Sequence, residues 1–331
     1  MSAVYRIFGS EMSPYSVKVR SYFRYKAIPH QWIARRADSE DEYKRFAKLP
    51  IVPTVATPAD EGLQDSTPIM ERVEAEHPEP SVHPADPALR FLSELIEEFG
   101  DEWGNKLMFH HRWWDEVDIA ASAQTLARLS APRADEAQIA ERTAMIRGRM
   151  TGRGHFVGSS AATADLIRAY LNELLDLLEP HFEARKYLFG ARPSFGDFGL
   201  AAQLYEASVD PTCGAILKSR GPNTLAWCHR MLEPRNDGPF ESWESLAPTL
   251  KPVLAYIGRY FLPWTAANAA ALAEGAESFS VDLAGKAYVQ PPQKYHAKSL
   301  AAIRAKRAAV GDPKLAAILA EAGCEPYLAA G

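Results

Sequence analysis

The chain has 331 residues, 47% of them apolar, enough to fill the cores of two domains. Its 37 basic and 42 acidic side chains leave a net charge of −5, with no basic excess to attract nucleic acid or an anionic membrane. The start MSAVYRIFGS lacks a signal-peptide pattern, no apolar run approaches the ~20 residues of a membrane span, and Cys213, Cys228 and Cys324 have neither disulfide nor zinc spacing; the expectation is a cytoplasmic protein without a metal.

In chain order, Val4 to Phe8 is a β-branched and aromatic run stopped by Gly9, which predicts a strand. From Pro14 the period becomes helical, with Val19, Tyr22, Phe23 and the stem of Lys26 on one face, and Pro29 ends it. Gln31 to Ala34 reads as a second strand, and the charged stretch from Asp38 or Ser39 as a short helix. PTVAT and GLQ flank the turn Pro58 to Glu61 and predict a hairpin, followed by a helix capped by Ser66 that stops at Pro78. The order is βαβ then ββα, an α/β unit.

The stretch from Pro78 to Pro87 offers little to bury and reads as a linker. Beyond it helical periodicity takes over, as in Phe91, Leu92, Leu95, Ile96 and Phe99, or Leu166, Tyr170, Leu171, Leu174, Leu175 and Leu178. Further helices are expected over Lys251 to Ala273 with a break at Pro263, over Tyr295 to Ala309, and over Pro313 to Ala322 closed by Gly323. The predicted division is residues 1–80, an α/β domain; 81–87, a linker; 88–237, an all-helical domain; and 238–331, a helical extension.

This order, together with four local motifs, resembles the glutathione S-transferase family: a thioredoxin-like N-terminal domain followed by a helical C-terminal domain. The motifs are SPYS after the first strand, LPIVPTV before the third, DSTPIM at the third helix, and RPSFGDFGLAAQLY, in which Ser194 and Asp197 form a capping box. The resemblance spans about residues 4 to 235 and is to the serine-type, theta- and zeta-like members. It implies glutathione as cosubstrate, a cis bond before Pro53 that presents the backbone of Val52, and an Asp65–Ser66 pair holding the γ-glutamyl end. Lys48 would meet the glycyl carboxylate, although the Asn-Pro common in the family before this loop is missing. The resemblance also implies a homodimer and a detoxifying transferase. The C-terminal extension is the main departure from it.

The residues themselves say why Ser13 is the candidate catalytic group. A thiol near neutral pH is mostly protonated, and an N-terminal helix end with a hydroxyl donor favours the nucleophilic thiolate. By itself Ser13 followed by Pro14 is also an ordinary helix cap. Serines in place of cysteines disfavour a mixed disulfide with the protein, since a hydroxyl cannot form one. Ser16 is the weaker candidate, within the helix and facing solvent. A hydrophobic, aromatic electrophile would lie between the domains against Tyr15, Phe109, His110 and Trp113, with Arg112 as a further possibility; the alternative is that these aromatics pack a core or a dimer face. The competing function is a non-catalytic protein that uses the same fold for binding or assembly.

Overall fold

In the computed structural model, which describes residues 4–329, the N-terminal unit runs β1 (Tyr5–Gly9), α1 (Pro14–Tyr25), β2 (His30–Ala34), α2 (Glu40–Phe46), β3 (Thr54–Ala56), β4 (Gly62–Gln64) and α3 (Ser66–Glu76). The strands form a sheet in the order β2-β1-β3-β4, with β2 parallel to β1 and the β3–β4 hairpin antiparallel. Alternation along β1 sends Tyr5 and Ile7 into the main core and Phe8 to the other face, where it meets Tyr43 and Phe46 of α2. Thus α2 covers one face of the sheet. The other lies under α1, α3 and the helical domain.

The helical domain comprises α4 (Pro87–Phe99), α5 (Asn105–Trp114), α6 (Glu116–Ser130), α7 (Glu136–Thr151), α8 (Ala164–Ala184), α9 (Phe195–Ser208), α10 (Pro211–Arg220) and α11 (Pro222–Arg230). Between α4 and α5 the chain widens into a π turn, Gly100–Gly104, whose extra residue per turn re-aims Asp101 and Glu102. Helix α9 crosses α4 at glycines. A Cβ on Gly100 would lie 2.5 Å from the backbone of Leu200, and one on Gly199 2.7 Å from the carbonyl of Glu97, so any larger residue would force the two helices apart.

Asp197 sets the start of α9. Its Oδ2 accepts from the backbone N–H and hydroxyl of Ser194 at 2.8 and 2.7 Å, while Oδ1 accepts from Leu188 N–H and Trp227 Nε1, both at 2.8 Å. The capping box expected from Ser194 and Asp197 is therefore present and fully buried.

The extension is not purely helical, which corrects the expectation for residues 238–331. After α12 (Trp243–Tyr256), a π turn (Ile257–Phe261) and α13 (Leu262–Ala273), the chain forms a hairpin, β5 (Phe279–Asp282) and β6 (Ala287–Gln290), before α14 (Lys294–Ala308), α15 (Pro313–Glu321) and α16 (Glu325–Leu328). The turn uses Ala284 and Gly285 at φ of 55° and 79°. Its two strands alternate burial, and buried Tyr288 and Gln290 anchor β6. Gln290 Oε1 and the Val157 carbonyl accept from the buried Nζ of Lys106, at 2.9 and 2.6 Å, beside the ring faces of Trp264 and Tyr288, and burial holds this amine well below the usual lysine pKa. Leu300, Ile303, Leu315 and Leu319 of the extension join the same apolar cluster as Ile7, Leu92 and Leu171. One core runs through all three parts.

Replacing Asp197 by Ala strands four donors in the core, and chemical denaturation should show a loss of about 3 kcal/mol or more. A loss below about 1 kcal/mol would remove Asp197 from its organising role.

Candidate functional site

Strand register brings three of the sequence-predicted positions to one edge of the sheet. Phe8 of β1 lies opposite Thr54 of β3, and Thr54 opposite Gln64 of β4. One residue further along, Gly9, Pro53 and Asp65 lie side by side. The α1 N-terminus follows Gly9 and the α3 N-terminus follows Asp65, so both positive helix ends open at this edge.

Ser13 is the N-cap of α1, extended at φ −112° and ψ 114°, with Pro14 directly after it. Its Oγ accepts from Ser16 N–H at 3.3 Å. Accepting uses a lone pair, so the Ser13 O–H is still a donor. Ser16 does not face solvent: it is fully buried, and its Oγ accepts from Ser10 N–H, which ties the β1–α1 loop to the helix. Tyr15 is partly buried and donates to the Asp101 carbonyl at 2.9 Å.

The α3 end departs from the expected Ser66 cap. Asp65 holds the cap position in a left-handed conformation, φ 79° and ψ 127°, that side chains rarely adopt, and its carboxylate makes no capping bond. Ser66 is already helical, and its buried hydroxyl donates to Asp101 Oδ2 and accepts from Lys18 Nζ, each at 3.2 Å. A hydroxyl so engaged cannot also reach the helix N–H groups.

Lys18 is the hub beneath this edge. Its ammonium is buried and donates to Asp101 Oδ2 at 2.6 Å, Thr67 Oγ1 at 3.0 Å, Ser66 Oγ and Glu97 Oε1. Burial opposes its charge, but Asp101 and Glu97 outweigh that and hold its pKa above the usual lysine value. Burial pushes Asp101 up to about 7 despite Lys18, because one cation serves two carboxylates.

Between Lys48 and Pro53 the backbone is pinned by two side chains. Tyr43 donates to the carbonyls of Leu49 and Ile51, while Gln64 donates to both carbonyls and to Thr54 and accepts from the N–H groups of Lys48 and Leu49. The Lys48 side chain is exposed, Val52 is half-buried, and the Val52–Pro53 peptide is cis.

The aromatic pocket expected at Phe109, His110 and Trp113 is not where His110 and Trp113 go. His110 is 1% exposed, with Nδ1 2.7 Å from Ser159 Oγ, and burial lowers its pKa to about 3. Trp113 packs into a core with Ile119 and Ala123, against which half-buried Phe109 also rests. These are packed residues: Phe109 and Trp113 face α6 and α7, while His110 turns toward Ser159. Arg112, from the same stretch, is buried instead: Nη1 donates to the Met12 carbonyl at 3.0 Å, and Nε and Nη2 to Asp210 and Glu206 at 2.8 Å. It anchors the residue next to Ser13. A cavity of about 570 Å³ does lie beside the β1–α1 loop, walled by Ser10, Trp32, Arg35, Leu126 and Leu129 among others.

Sequence reasoning missed Lys18, Gln64 and Asp101, and did not place Tyr295, whose Oη lies 3.0 Å from both carboxylate oxygens of Asp65. A lysine between Val17 and Val19 without an acid on its own helix was the available signal; its partners lie 79 and 83 residues away. Among the described residues no cluster of His, Cys, Asp or Glu has an arrangement that could hold a metal, and no helix is long and apolar enough to cross a membrane.

Residues 7–81 match the family model of the glutathione S-transferase N-terminal domain, and residues 123–230 that of the glutathione S-transferase C-terminal domain. No curated protein matches the chain. Similar solved structures include a glutathione S-transferase from Methylobacterium radiotolerans in complex with glutathione sulfonate, at 23% identity over 74% of this chain and 93% of that one, TM-score 0.41. Others are FzlA from C. crescentus, at 18% identity, 69% and 91% coverage and TM-score 0.44, and a maleylacetoacetate isomerase from Anaeromyxobacter dehalogenans with bound dicarboxyethyl glutathione and citrate, at 18%, 70% and 84%, TM-score 0.41.

Asp101 gives the site a pH signature. A carboxyl whose folded pKa rises from 3.8 to about 7 binds more protons in the native state across that window, so its contribution to stability is present below the window and lost as pH rises through it. Thermal midpoints should fall between pH 5 and pH 8 more steeply in the wild type than in Asp101→Asn. Parallel profiles would take Asp101 out of the pH dependence.

Proposed function

The chain belongs to the glutathione S-transferase superfamily, and from that premise we propose that it is a transferase whose Ser13 activates glutathione for attack on a hydrophobic electrophile. One observation carries the reading: the Ser13-capped end of α1, the Val52–Pro53 peptide and the strained Asp65 meet at one sheet edge. In the proposed complex the Val52 backbone pairs with the cysteinyl part of the tripeptide, Asp65 and the first turn of α3 hold the γ-glutamyl end, and Lys48 reaches the glycyl carboxylate. That pose directs the sulfur to the Ser13 hydroxyl and the α1 N-terminus. The hydroxyl donates to the thiolate, lowering the thiol pKa, and the thiolate attacks carbon.

The electrophile belongs in the cavity between the β1–α1 loop and α6. Its volume is within the ~300–1,000 Å³ of small-molecule sites, and Trp32, Leu126 and Leu129 give it an apolar wall. Tyr15 and Phe109 retain partial exposure but do not line it. A cytoplasmic, detoxifying role fits three buried, free cysteines, which suit a reducing compartment. A homodimer is part of the same proposal, checked by light scattering.

A second reading, a non-catalytic binding or assembly protein, is favoured by one feature: Ser66 and Asp65 already have protein partners, Lys18 and Tyr295.

Two measurements separate the readings. At glutathione about 100-fold above its Kd the transferase should gain about 2.7 kcal/mol of stability, visible as a saturable rise in thermal midpoint; no shift at millimolar glutathione sinks the transferase reading. Ser13→Ala should abolish most of the thiolate seen by ultraviolet absorbance with bound glutathione. An unaltered thiolate pKa would exclude Ser13 from the chemistry.

A further inference from the structure

Arg112 reaches from α5 to the turn that carries Ser13, with all three of its guanidinium nitrogens engaged. Nε donates to Asp210 Oδ2 and Nη2 to Glu206 Oε2, both at 2.8 Å, while Nη1 donates to the Met12 carbonyl at 3.0 Å. Asp210 is itself held by the Ser122 hydroxyl at 2.7 Å. Two buried carboxylates match the charge of the arginine, so what it supplies at the Met12 end is a fixed direction, not an unbalanced field.

The Met12 carbonyl and the Ser13 N–H belong to one planar peptide. Both of its polar ends are held: the oxygen by Arg112, and the N–H by the Ser10 carbonyl at 3.2 Å. On the far side of Ser13, its own carbonyl accepts from the N–H groups of Ser16 and Val17, each at 3.0 Å. Ser13 is thus fixed from before and after, and its half-buried hydroxyl, which already accepts from Ser16 N–H, has a single direction left in which to donate. The Ser10 bond lies within the loop and travels with it. Arg112 instead ties the peptide to the helical domain, through α9 and the start of α10. With that carbonyl released, ψ of Met12 and φ of Ser13 can change together, and the hydroxyl is no longer held to the ~0.5 Å that productive geometry demands.

We infer that Arg112 is a positioning residue for Ser13: by fixing the peptide that precedes it, Arg112 sets the direction of the Ser13 hydroxyl and with it the acidity of the bound glutathione thiol. This rests on the transferase reading above. It makes the helical domain a part of thiol activation, acting through the backbone of the β1–α1 loop.

The test follows the thiolate of bound glutathione by ultraviolet absorbance across pH, on the full chain. Arg112→Lys keeps the charge, but a point ammonium cannot span two acids and a carbonyl as the fork does. With an unchanged circular dichroism spectrum it should hold about tenfold less thiolate than wild type at neutral pH. S-methylglutathione, whose sulfur has no proton to lose, should bind the variant within about twofold of wild type by calorimetry. Arg112→Met combined with Glu206→Gln and Asp210→Asn removes the arm without stranding a buried charge, and should lose the thiolate to the same extent; it decides the matter if Arg112→Lys does not fold. An unchanged thiol pKa in either folded variant overturns the inference and leaves the transferase reading intact. Loss of S-methylglutathione binding in step with the thiolate also overturns it, by showing a general collapse of the site. If the wild type forms no thiolate with glutathione, the transferase reading itself falls and this inference with it.

Discussion

The site depends on one buried ammonium. Lys18 projects from α1 beneath the sheet edge and binds the start of α3 through Ser66 and Thr67, and the helical domain through Glu97 and Asp101. Three N–H groups thus join three elements that burial of apolar surface alone would let slide. Burying such a charge is costly unless every partner is in place, and removing one side of a buried pair typically costs ~3–5 kcal/mol. The same all-or-none character makes the arrangement specific: α1, α3 and the π turn have one mutual placement that satisfies Lys18.

Arg112 repeats the design on the other side of the α1 terminus. It also shares one cation between two buried carboxylates, Glu206 and Asp210, and burial pushes Glu206 up to about 7 against the arginine. Its remaining arm holds the Met12 carbonyl. The turn bearing Ser13 is therefore positioned from the helical domain, while the Asp65 end is positioned through Lys18. A proton held near neutrality at both nodes lets each cation satisfy two acids without a full excess negative charge in the interior.

The extension changes the meaning of the domain division. Its helices share the central core, its hairpin is pinned through Lys106, and α14 lies across the acidic edge. Pairing between residues 65 and 295 joins the two ends of the chain across the site. Truncating the last helices would thus remove both apolar burial and the Tyr295–Asp65 contact.

Much of this was readable in the linear chain, for local reasons. Proline, glycine and capping residues marked β1, α1, the β3–β4 hairpin and the start of α9, and apolar periods separated the α/β part from the helices. Ser13 followed by Pro14 was legible as a helix start because capping leaves a mark in residue type, whereas Pro53 and Asp65 were singled out by the family resemblance, and the positive φ of Asp65 left no mark. The β5–β6 hairpin escaped because its short strands lie among strongly helix-forming alanines, and only the alternation ending at buried Tyr288 and Gln290 gives it away. What the tertiary structure alone decided was the partnering of charges: that Lys18 and Arg112 turn inward, that His110 and Trp113 pack inside, that Ser66 is engaged, and that Tyr295 reaches Asp65. Periodicity reports which face of an element is apolar, whereas the partner of a buried cation is set by which distant segments folding brings within 3 Å.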